Sequence, residues 1–172
     1  RKQAEDSGAL VQNGYVTTLA REGDLFVVGI SKGKDKPIER TIEVKTVLLA
    51  TGSERKKLGL PNEEILKGKG VHYCVTCDGP VYTGKVIAIV GGGDASVKGA
   101  ILSSEYASKL YLLVRGDKMR AEPSNQERLK TLGEKLVVLY GTEVKELVGE
   151  KKLEKLVLSK PYNGSSELVV DA

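Results

Sequence analysis

The sequence predicts an α/β fold in which a strand–helix–strand unit lies between two meanders of antiparallel strands. Residues 85–90 are a continuous apolar run of strand length, as in a strand covered on both faces. Glycines follow, and residues 95–107 then place small and apolar side chains at helical spacing before a second apolar strand at 109–114. A strand, a helix and a strand within about 30 residues have the size of a parallel βαβ unit.

The segments on either side of this unit predict the two meanders. The first has strands rich in Val, Ile, Leu and Thr, at residues 15–20, 25–30 and 41–49. Its last part, residues 47–50, is expected to be a buried strand. The second meander has strands at residues 144–148, 153–158 and 168–170. Before it, Ser124 and Glu127 fit a capping box, which predicts a helix to about Leu132, and a further strand covers 136–140.

Composition divides the chain into three parts. Residues 54–70 combine a proline and three glycines with charged residues, which is typical of a connection between domains. We therefore predict a partial domain at residues 1–54, a linker at 55–70 and a second domain at 71–172. The chain opens with Arg1 rather than an initiator methionine, and we expect it to be the middle part of a longer protein.

Composition also excludes several classes of protein. Hydrophobic residues make up 40% of the 172 residues and charged residues 29%, which favours a packed core over disorder. The net charge of +4 comes from interleaved acids and bases without a basic run carrying aromatics, so nucleic-acid binding is not expected. The apolar runs are too short to cross a bilayer, and no signal peptide is recognised. The chain has two cysteines, fewer than a disulfide-stabilised secreted domain usually has, so we expect a cytoplasmic protein.

The glycine turn after the first parallel strand has the pattern Gly91-x-Gly93-x-x-Ser96 and opens a helix. In a dinucleotide-binding turn the first glycine permits the tight turn, the second lets a pyrophosphate approach the backbone, and the third, small residue allows close helix–strand packing. Free N–H groups at the helix start point at the anion. A purely structural turn would have the same residues. The predicted nucleotide-binding residues are Gly91, Gly92, Gly93, Asp94, Ala95 and Ser96.

The end of the second parallel strand carries cations where an NAD site would carry a carboxylate. Val114 is followed by Arg115, and Arg120 lies one short loop later, with Lys118 between them. Because arginine can bind a 2′-phosphate through a bidentate pair of hydrogen bonds, these residues favour NADPH over NADH. The alternative is that they are solvated loop charges, an interpretation that suits Lys118 best.

The cysteines Cys74 and Cys77 form one C-x-x-C pair that admits three interpretations. Zinc would need four ligands, and His72 is too local in the sequence to complete a tetrahedron. A structural disulfide across two residues would remove little entropy from the unfolded chain. A redox pair is favoured, because thiols three positions apart can form and break a disulfide without chain rearrangement. Asp78 is a candidate general acid or base, or simply a carboxylate at the start of a helix.

These motifs resemble those of the bacterial and archaeal low-molecular-weight thioredoxin reductases. The matching segments are Cys74-Val75-Thr76-Cys77-Asp78-Gly79-Pro80, Val90-Gly91-Gly92-Gly93-Asp94, Arg115-x-Asp117-x-x-Arg120-Ala121 and Ala50-Thr51-Gly52-Ser53. The resemblance implies a three-layer, Rossmann-like NADPH domain with a β-meander, which carries the redox dithiol, and an incomplete part of a second, FAD-binding Rossmann-like domain. It also implies a homodimer that passes electrons from NADPH to FAD, to the dithiol and then to the disulfide of thioredoxin.

The resemblance further implies roles for single residues. Cys74 and Cys77 would be the redox pair, and Asp78 would be its proton donor. The glycine turn would hold the pyrophosphate of NADPH. The remaining cofactor contacts would come from Arg115 and Arg120 at the 2′-phosphate and from Thr51 and Gly52 near the flavin.

The sequence departs from the family pattern in two places. The usual His-Arg-Arg-Asp is Val114-Arg115-Gly116-Asp117 here, which weakens the expected preference for NADPH over NADH. The flavin motifs at the two ends of a full member are missing, so we expect the 172 residues alone to bind NADPH without turnover. The residues also allow a nucleotide-binding module without turnover, or a related flavin disulfide reductase with another protein partner.

Overall fold

The computed structural model describes all residues, 1–172, and the chain divides into two compact units, Arg1–Glu54 and Arg55–Ala172. The first unit is a short helix followed by an antiparallel sheet in the order β1-β2-β3. Its elements are α1 (Lys2–Asp6), β1 (Tyr15–Glu22), β2 (Leu25–Ser31) and β3 (Arg40–Val44). The predicted first meander is therefore present, and the turn between β1 and β2 contains Gly23 at φ 61°.

The last strand predicted in this unit does not form. The strand β3 ends at Val44, and residues 47–50 have neither helical nor strand structure. Leu48 and Leu49 are 90% and 69% exposed, so the predicted buried strand is wrong for this chain. An isolated apolar segment cannot become a strand, because its N–H and C=O groups need a neighbouring strand and none of the nine strands pairs with it.

The second unit is built on a parallel sheet in the order β4-β5-β6. The elements of its βαβαβ sequence are β4 (Val86–Val90), α4 (Asp94–Ser103), β5 (Lys109–Val114), α5 (Pro123–Lys130) and β6 (Leu136–Tyr140). The central strand β5 is covered on both faces, since Leu110, Leu112 and Leu113 are fully buried. This arrangement confirms the predicted α/β class.

The second meander completes three layers. Its strands β7 (Val144–Val148), β8 (Lys155–Tyr162) and β9 (Ser165–Val169) form an antiparallel sheet in that order. Leu147 and Leu156 of the meander share a buried cluster with Leu113 of β5. On the other face, Leu112 packs with Val97 of α4 and with α5. The parallel sheet therefore lies between the meander and the helices.

The segment that composition predicts to be a linker contributes to this core. Residues 55–70 contain α2 (Glu63–Leu66), and Leu66 is fully buried in the cluster formed with the second meander. The backbone of Lys69 also accepts a hydrogen bond from the Leu153 N–H at 2.7 Å. The second half of this segment is thus part of the compact unit, because one leucine among the charged residues finds an apolar site.

Helix α5 begins differently from the prediction. It starts at Pro123, and Ser124 and Glu127 do not form a capping box. The carboxylate of Asp94, at the start of α4, instead accepts hydrogen bonds from the Glu122 N–H at 3.0 Å and from the Asn125 side chain at 2.8 Å. Proline suits the first helical position because its fixed φ is helical and its missing N–H would have no partner there.

Candidate functional site

The two cysteines are joined in a disulfide at the start of α3 (Val75–Asp78). Cys74 is the residue before this helix, and its sulfur accepts a hydrogen bond from the Cys77 N–H at 3.3 Å. Cys77 is exposed, whereas Cys74 is half-buried. Because the two sulfurs are bonded to each other, the structure fits the two disulfide interpretations of this pair, and Cys77 is the more exposed of the two cysteines.

The dithiol segment packs directly on the helix that follows the glycine turn. At Gly99 in α4, an added Cβ would lie 3.2 Å from Cγ2 of Val75, the residue after Cys74. A larger side chain at this position would press on Val75, so Gly99 favours the close approach of α3 to α4. The redox pair and the glycine turn therefore belong to one continuous piece of structure.

Asp78 is one end of a polar chain of three residues, in which His72 is the middle member. Its Oδ2 lies 3.2 Å from Nδ1 of His72, and Nε2 of His72 lies 2.7 Å from the hydroxyl of Tyr82. Burial raises the pKa of Tyr82 above its ordinary value, and the charges of Asp78 and Asp171 raise it further. In the sequence His72 is a candidate zinc ligand only, and nothing there indicates Tyr82 as its partner. The one signal of the contact with Asp78 is that the single histidine of the chain stands six residues before it.

A second buried group lies just before the dithiol. Glu63 is 4% exposed, and its carboxylate accepts hydrogen bonds from the Tyr73 hydroxyl and from the N–H groups of Leu58, Gly59 and Leu60. Burial alone would raise the pKa of Glu63, but these four hydrogen bonds outweigh it, so the pKa lies below its ordinary value. Burial and the neighbouring carboxylate raise the pKa of Tyr73. No sequence pattern indicated this group.

The glycine turn has the geometry expected of an anion site. Gly91 lies at φ 132°, where an added Cβ would collide with Oγ of Ser96, and that hydroxyl donates to the Val90 carbonyl at 3.2 Å. Gly93 precedes α4 in extended conformation, and no atom lies within 4 Å of where its Cβ would be. Since the N–H groups of Asp94 and Ala95 have no partner in the helix, open space and free donors coincide at this helix start.

The loop that contains Arg120, one of the two predicted ligands of the 2′-phosphate, is hydrogen-bonded to this turn. The Gly92 carbonyl accepts hydrogen bonds from the N–H groups of Arg120 at 2.7 Å and Ala121 at 3.1 Å. The Asp94 carboxylate holds the start of α5, and the Glu122 N–H and the Asn125 amide lower the pKa of Asp94. The structure therefore places the backbone of Arg120 beside the glycine turn. The hydrogen bonds that the Asp94 carboxylate accepts hold the loop in place.

Arg115 follows β5 directly and is exposed. Its Nε lies 3.9 Å from Oε1 of Glu143, whose other oxygen accepts a hydrogen bond from Lys145 at 2.9 Å. These two cations, Lys145 first, lower the pKa of Glu143. A carboxylate does lie near this strand end, but it comes from the loop after β6, so inspection of the residues following β5 could not find it.

Thr51 and Gly52 lie in the other compact unit. Both are exposed and belong to the segment after β3 that has no regular structure. All other predicted site residues belong to the unit Arg55–Ala172. In neither unit is there a helix with the length and apolar character required to span a bilayer.

Comparisons with known proteins agree with this geometry. Residues 9–172 match the family model described as pyridine nucleotide-disulphide oxidoreductase. The chain is 32% identical over 174 residues to a thioredoxin reductase of Treponema pallidum (strain Nichols), a match that covers 100% of this chain and 54% of that relative.

Two solved structures resemble it as well. A thioredoxin reductase of Lactococcus lactis has a TM-score of 0.68 at 27% identity, with 92% of this chain and 50% of the other covered. One from Giardia duodenalis has a TM-score of 0.74 at 25% identity, with 99% and 54% covered. The chain thus spans about half the length of these relatives. Because the family model matches nearly all of the chain, this protein belongs to the pyridine nucleotide-disulphide oxidoreductase family.

Proposed function

We propose that this chain carries the nicotinamide-nucleotide and dithiol parts of a thioredoxin-disulfide reductase. The observation that supports the proposal most directly is the packing of α3, with its Cys74–Cys77 disulfide, against α4, the helix of the glycine turn. The names of the relatives agree with it, since the Treponema, Lactococcus and Giardia proteins are all thioredoxin reductases. In this proposal the predicted redox pair and nucleotide turn serve one reaction.

The nucleotide turn suits NADPH. The open space in front of Gly93 and the free N–H groups of Asp94 and Ala95 fit a pyrophosphate, and Arg120 and Arg115 are the proposed ligands of the 2′-phosphate. NADPH held there would supply a hydride, and FAD in the whole protein would be its acceptor. Within this chain the proposed flavin contacts are Thr51 and Gly52, which are both exposed.

The dithiol is proposed to pass two electrons to thioredoxin. One cysteine thiolate attacks the partner disulfide, a mixed disulfide forms, and the partner's leaving thiolate takes up a proton. The second cysteine then attacks the mixed disulfide, which restores the Cys74–Cys77 bond and releases the partner's other thiol. Asp78, the residue after Cys77, is proposed to supply the proton. For the whole protein we also propose a homodimer and a cytoplasmic location, the latter because the two cysteines serve a reversible bond.

The dithiol assignment is tested by thiol transfer. The chain is reduced with dithiothreitol, freed of reductant and mixed with oxidised thioredoxin, after which the free thiols of each protein are counted. We expect the reduced chain to gain two thiols relative to the oxidised form and to lose both to thioredoxin. This assay needs neither flavin nor nucleotide, so it isolates the proposed exchange from the other cofactors.

Two controls sharpen this assay. Cys77→Ser is expected to stop at a mixed disulfide or to leave thioredoxin oxidised, because no second thiol resolves the adduct. Thr76→Ala, between the two cysteines, is expected to leave the transfer intact. Thioredoxin that stays oxidised in the presence of the reduced wild-type chain would contradict the proposed substrate.

A further inference from the structure

The polar chain beside the dithiol links three different segments of the second unit. His72 precedes the redox pair, Asp78 ends α3, and Tyr82 ends the one-turn helix Gly79–Tyr82. The imidazole lies between the other two side chains, 3.2 Å from Oδ2 of Asp78 and 2.7 Å from the hydroxyl of Tyr82. The two rings meet edge to face at a centroid distance of 5.2 Å. Both nitrogens of the imidazole therefore have a polar partner.

This arrangement accepts either protonation state of the imidazole. The hydrogen of the Tyr82 hydroxyl can rotate, so this hydroxyl can either donate or accept a hydrogen bond. When His72 is neutral, the hydroxyl can donate to Nε2. When His72 is charged, Nε2 can donate to the hydroxyl oxygen while Nδ1 donates to Asp78. The imidazole can thus gain or lose a proton without breaking either contact.

We propose that His72 is the source of the proton that Asp78 delivers during thiol–disulfide exchange. This inference rests on the proposed function, in which Asp78 serves the Cys74–Cys77 pair. A leaving thiolate takes a proton from Asp78, and the Asp78 carboxylate takes the Nδ1 proton of the imidazolium. The thiolate becomes a thiol, the imidazolium becomes neutral and Asp78 ends unchanged. His72 acts on the thiolate only through Asp78, so it is a positioning residue. It also holds the proton before the transfer.

The ordinary acidities of the side chains favour histidine as the source of the proton and aspartate as the group that transfers it. Aspartic acids are ordinarily ionised at neutral pH and so hold few protons to donate, whereas imidazole changes its charge between about pH 5 and 8. A thiol is ordinarily a weaker acid than imidazolium, so a proton moves downhill from histidine to a thiolate. The titratable groups around His72 are Asp78 and Tyr82, with Asp171 behind Tyr82 and Lys85 4.0 Å from Asp171. The nearest charge to the imidazole is therefore the carboxylate that it serves.

The first test is an NMR titration of the imidazole. The chain has one histidine, so its ring signals are unambiguous. Titration of the oxidised and the dithiothreitol-reduced chain should give midpoints that differ by about 0.5 pH unit or more, because the proposed relay couples the imidazole through Asp78 to thiols that exist only in the reduced chain. In Asp78→Asn this difference should fall below half of its wild-type size. Equal midpoints in the two redox states, or an undiminished difference in Asp78→Asn, would overturn the proposal.

The second test is the pH dependence of exchange with a small symmetrical disulfide, hydroxyethyl disulfide. Its leaving thiolate is basic, so the reaction needs a proton. His72→Gln is expected to slow the reduced chain by about tenfold or more near neutral pH and to remove the inflection between about pH 5 and 8. His72→Gln that folds and keeps the wild-type profile would refute the relay. A wrong choice of protein substrate would appear differently, as failure of transfer to thioredoxin with these two results unchanged.

Discussion

Glu63 illustrates how much a single side chain can organise in this molecule. Its buried carboxylate joins residues 58–60, before α2, to Tyr73, which stands next to Cys74. Hydrogen bonds to a charged acceptor stabilise more than neutral ones, and an unpaired buried donor costs free energy. The path of the chain into the dithiol segment therefore depends on this one carboxylate.

We predict that Glu63→Gln destabilises the second unit by about 2–3 kcal/mol at neutral pH, the scale of hydrogen bonds to a charged group. The pKa of Glu63 is lower in the folded chain than its ordinary value, so its stabilisation is present above the unfolded pKa and is lost as the pH falls through the folded pKa. The wild-type protein should therefore lose more stability than the variant below about pH 4.5. Urea unfolding at several pH values, followed by circular dichroism, measures both effects.

Glu64→Gln is the matched control for this prediction. Glu64 neighbours Glu63 but is exposed and interacts with Lys57 at the surface. Since surface ion pairs contribute little, this variant should unfold at nearly the wild-type urea concentration. Equal effects of the two substitutions would show that the buried hydrogen bonds of Glu63 are not what stabilises the segment.

At the scale of elements, two glycines of the turn between β4 and α4 are required for different reasons. Gly91 is required by the fold, because its φ of 132° is strained for other residues and a Cβ would meet Ser96. Gly93 has an ordinary φ of −97° and open space at its Cβ position. We propose that glycine is required at position 93 because the ligand must approach the backbone closely.

We predict that the two alanine variants of this turn behave differently. Gly91→Ala should lose about 1–3 kcal/mol of stability through backbone strain and should bind NADPH weakly as well. Gly93→Ala should unfold like the wild-type protein and lose NADPH affinity by tenfold or more, on the order of 1.4 kcal/mol. Thermal unfolding and titration calorimetry separate these effects. Unchanged NADPH affinity in a folded Gly93→Ala variant would speak against the proposed pyrophosphate site.

At the scale of the whole molecule, the chain is two units joined in an exposed segment. Residues 51–59 are all exposed, and they contain the tryptic sites Arg55, Lys56 and Lys57. A short distance further on, Leu66 is fully buried in the core of the second unit. Protection from proteolysis should therefore begin between these two points.

We predict that limited trypsin digestion cuts first at residues 55–57 and leaves a stable fragment that extends to residue 172. Leu66→Ala should cost about 2–5 kcal/mol and open Lys67 and Lys69 to early cleavage. Ile65→Ala, at a position that is 61% exposed, should keep the wild-type pattern. Mass spectrometry of the fragments identifies the cut sites, and early cleavage inside the parallel sheet of the wild-type chain would contradict the prediction.

Local pattern was enough to locate several parts of this protein. The parallel strands, the glycine turn and the C-x-x-C pair could be predicted because each depends on side-chain periodicity or on residues that are close in the sequence. The predicted bounds of β5 and β6 agree with the structure, since each strand is a continuous, largely apolar run. The α/β class followed from the same runs and the helix between them.

Only the tertiary structure decided which distant groups meet. Asp94 rather than Ser124 supports the start of α5, and Glu143 lies near Arg115 although 28 positions separate them. The partners of the imidazole next to the dithiol likewise depended on how three segments fold together. Residues 47–50 show the reverse case, in which a strand-like pattern finds no strand to pair with. The periodicity of a segment determines which of its side chains can be buried. Strand pairing, the hydrogen bonds at a helix start and the charges near a site depend on which other segments of the chain pack against it.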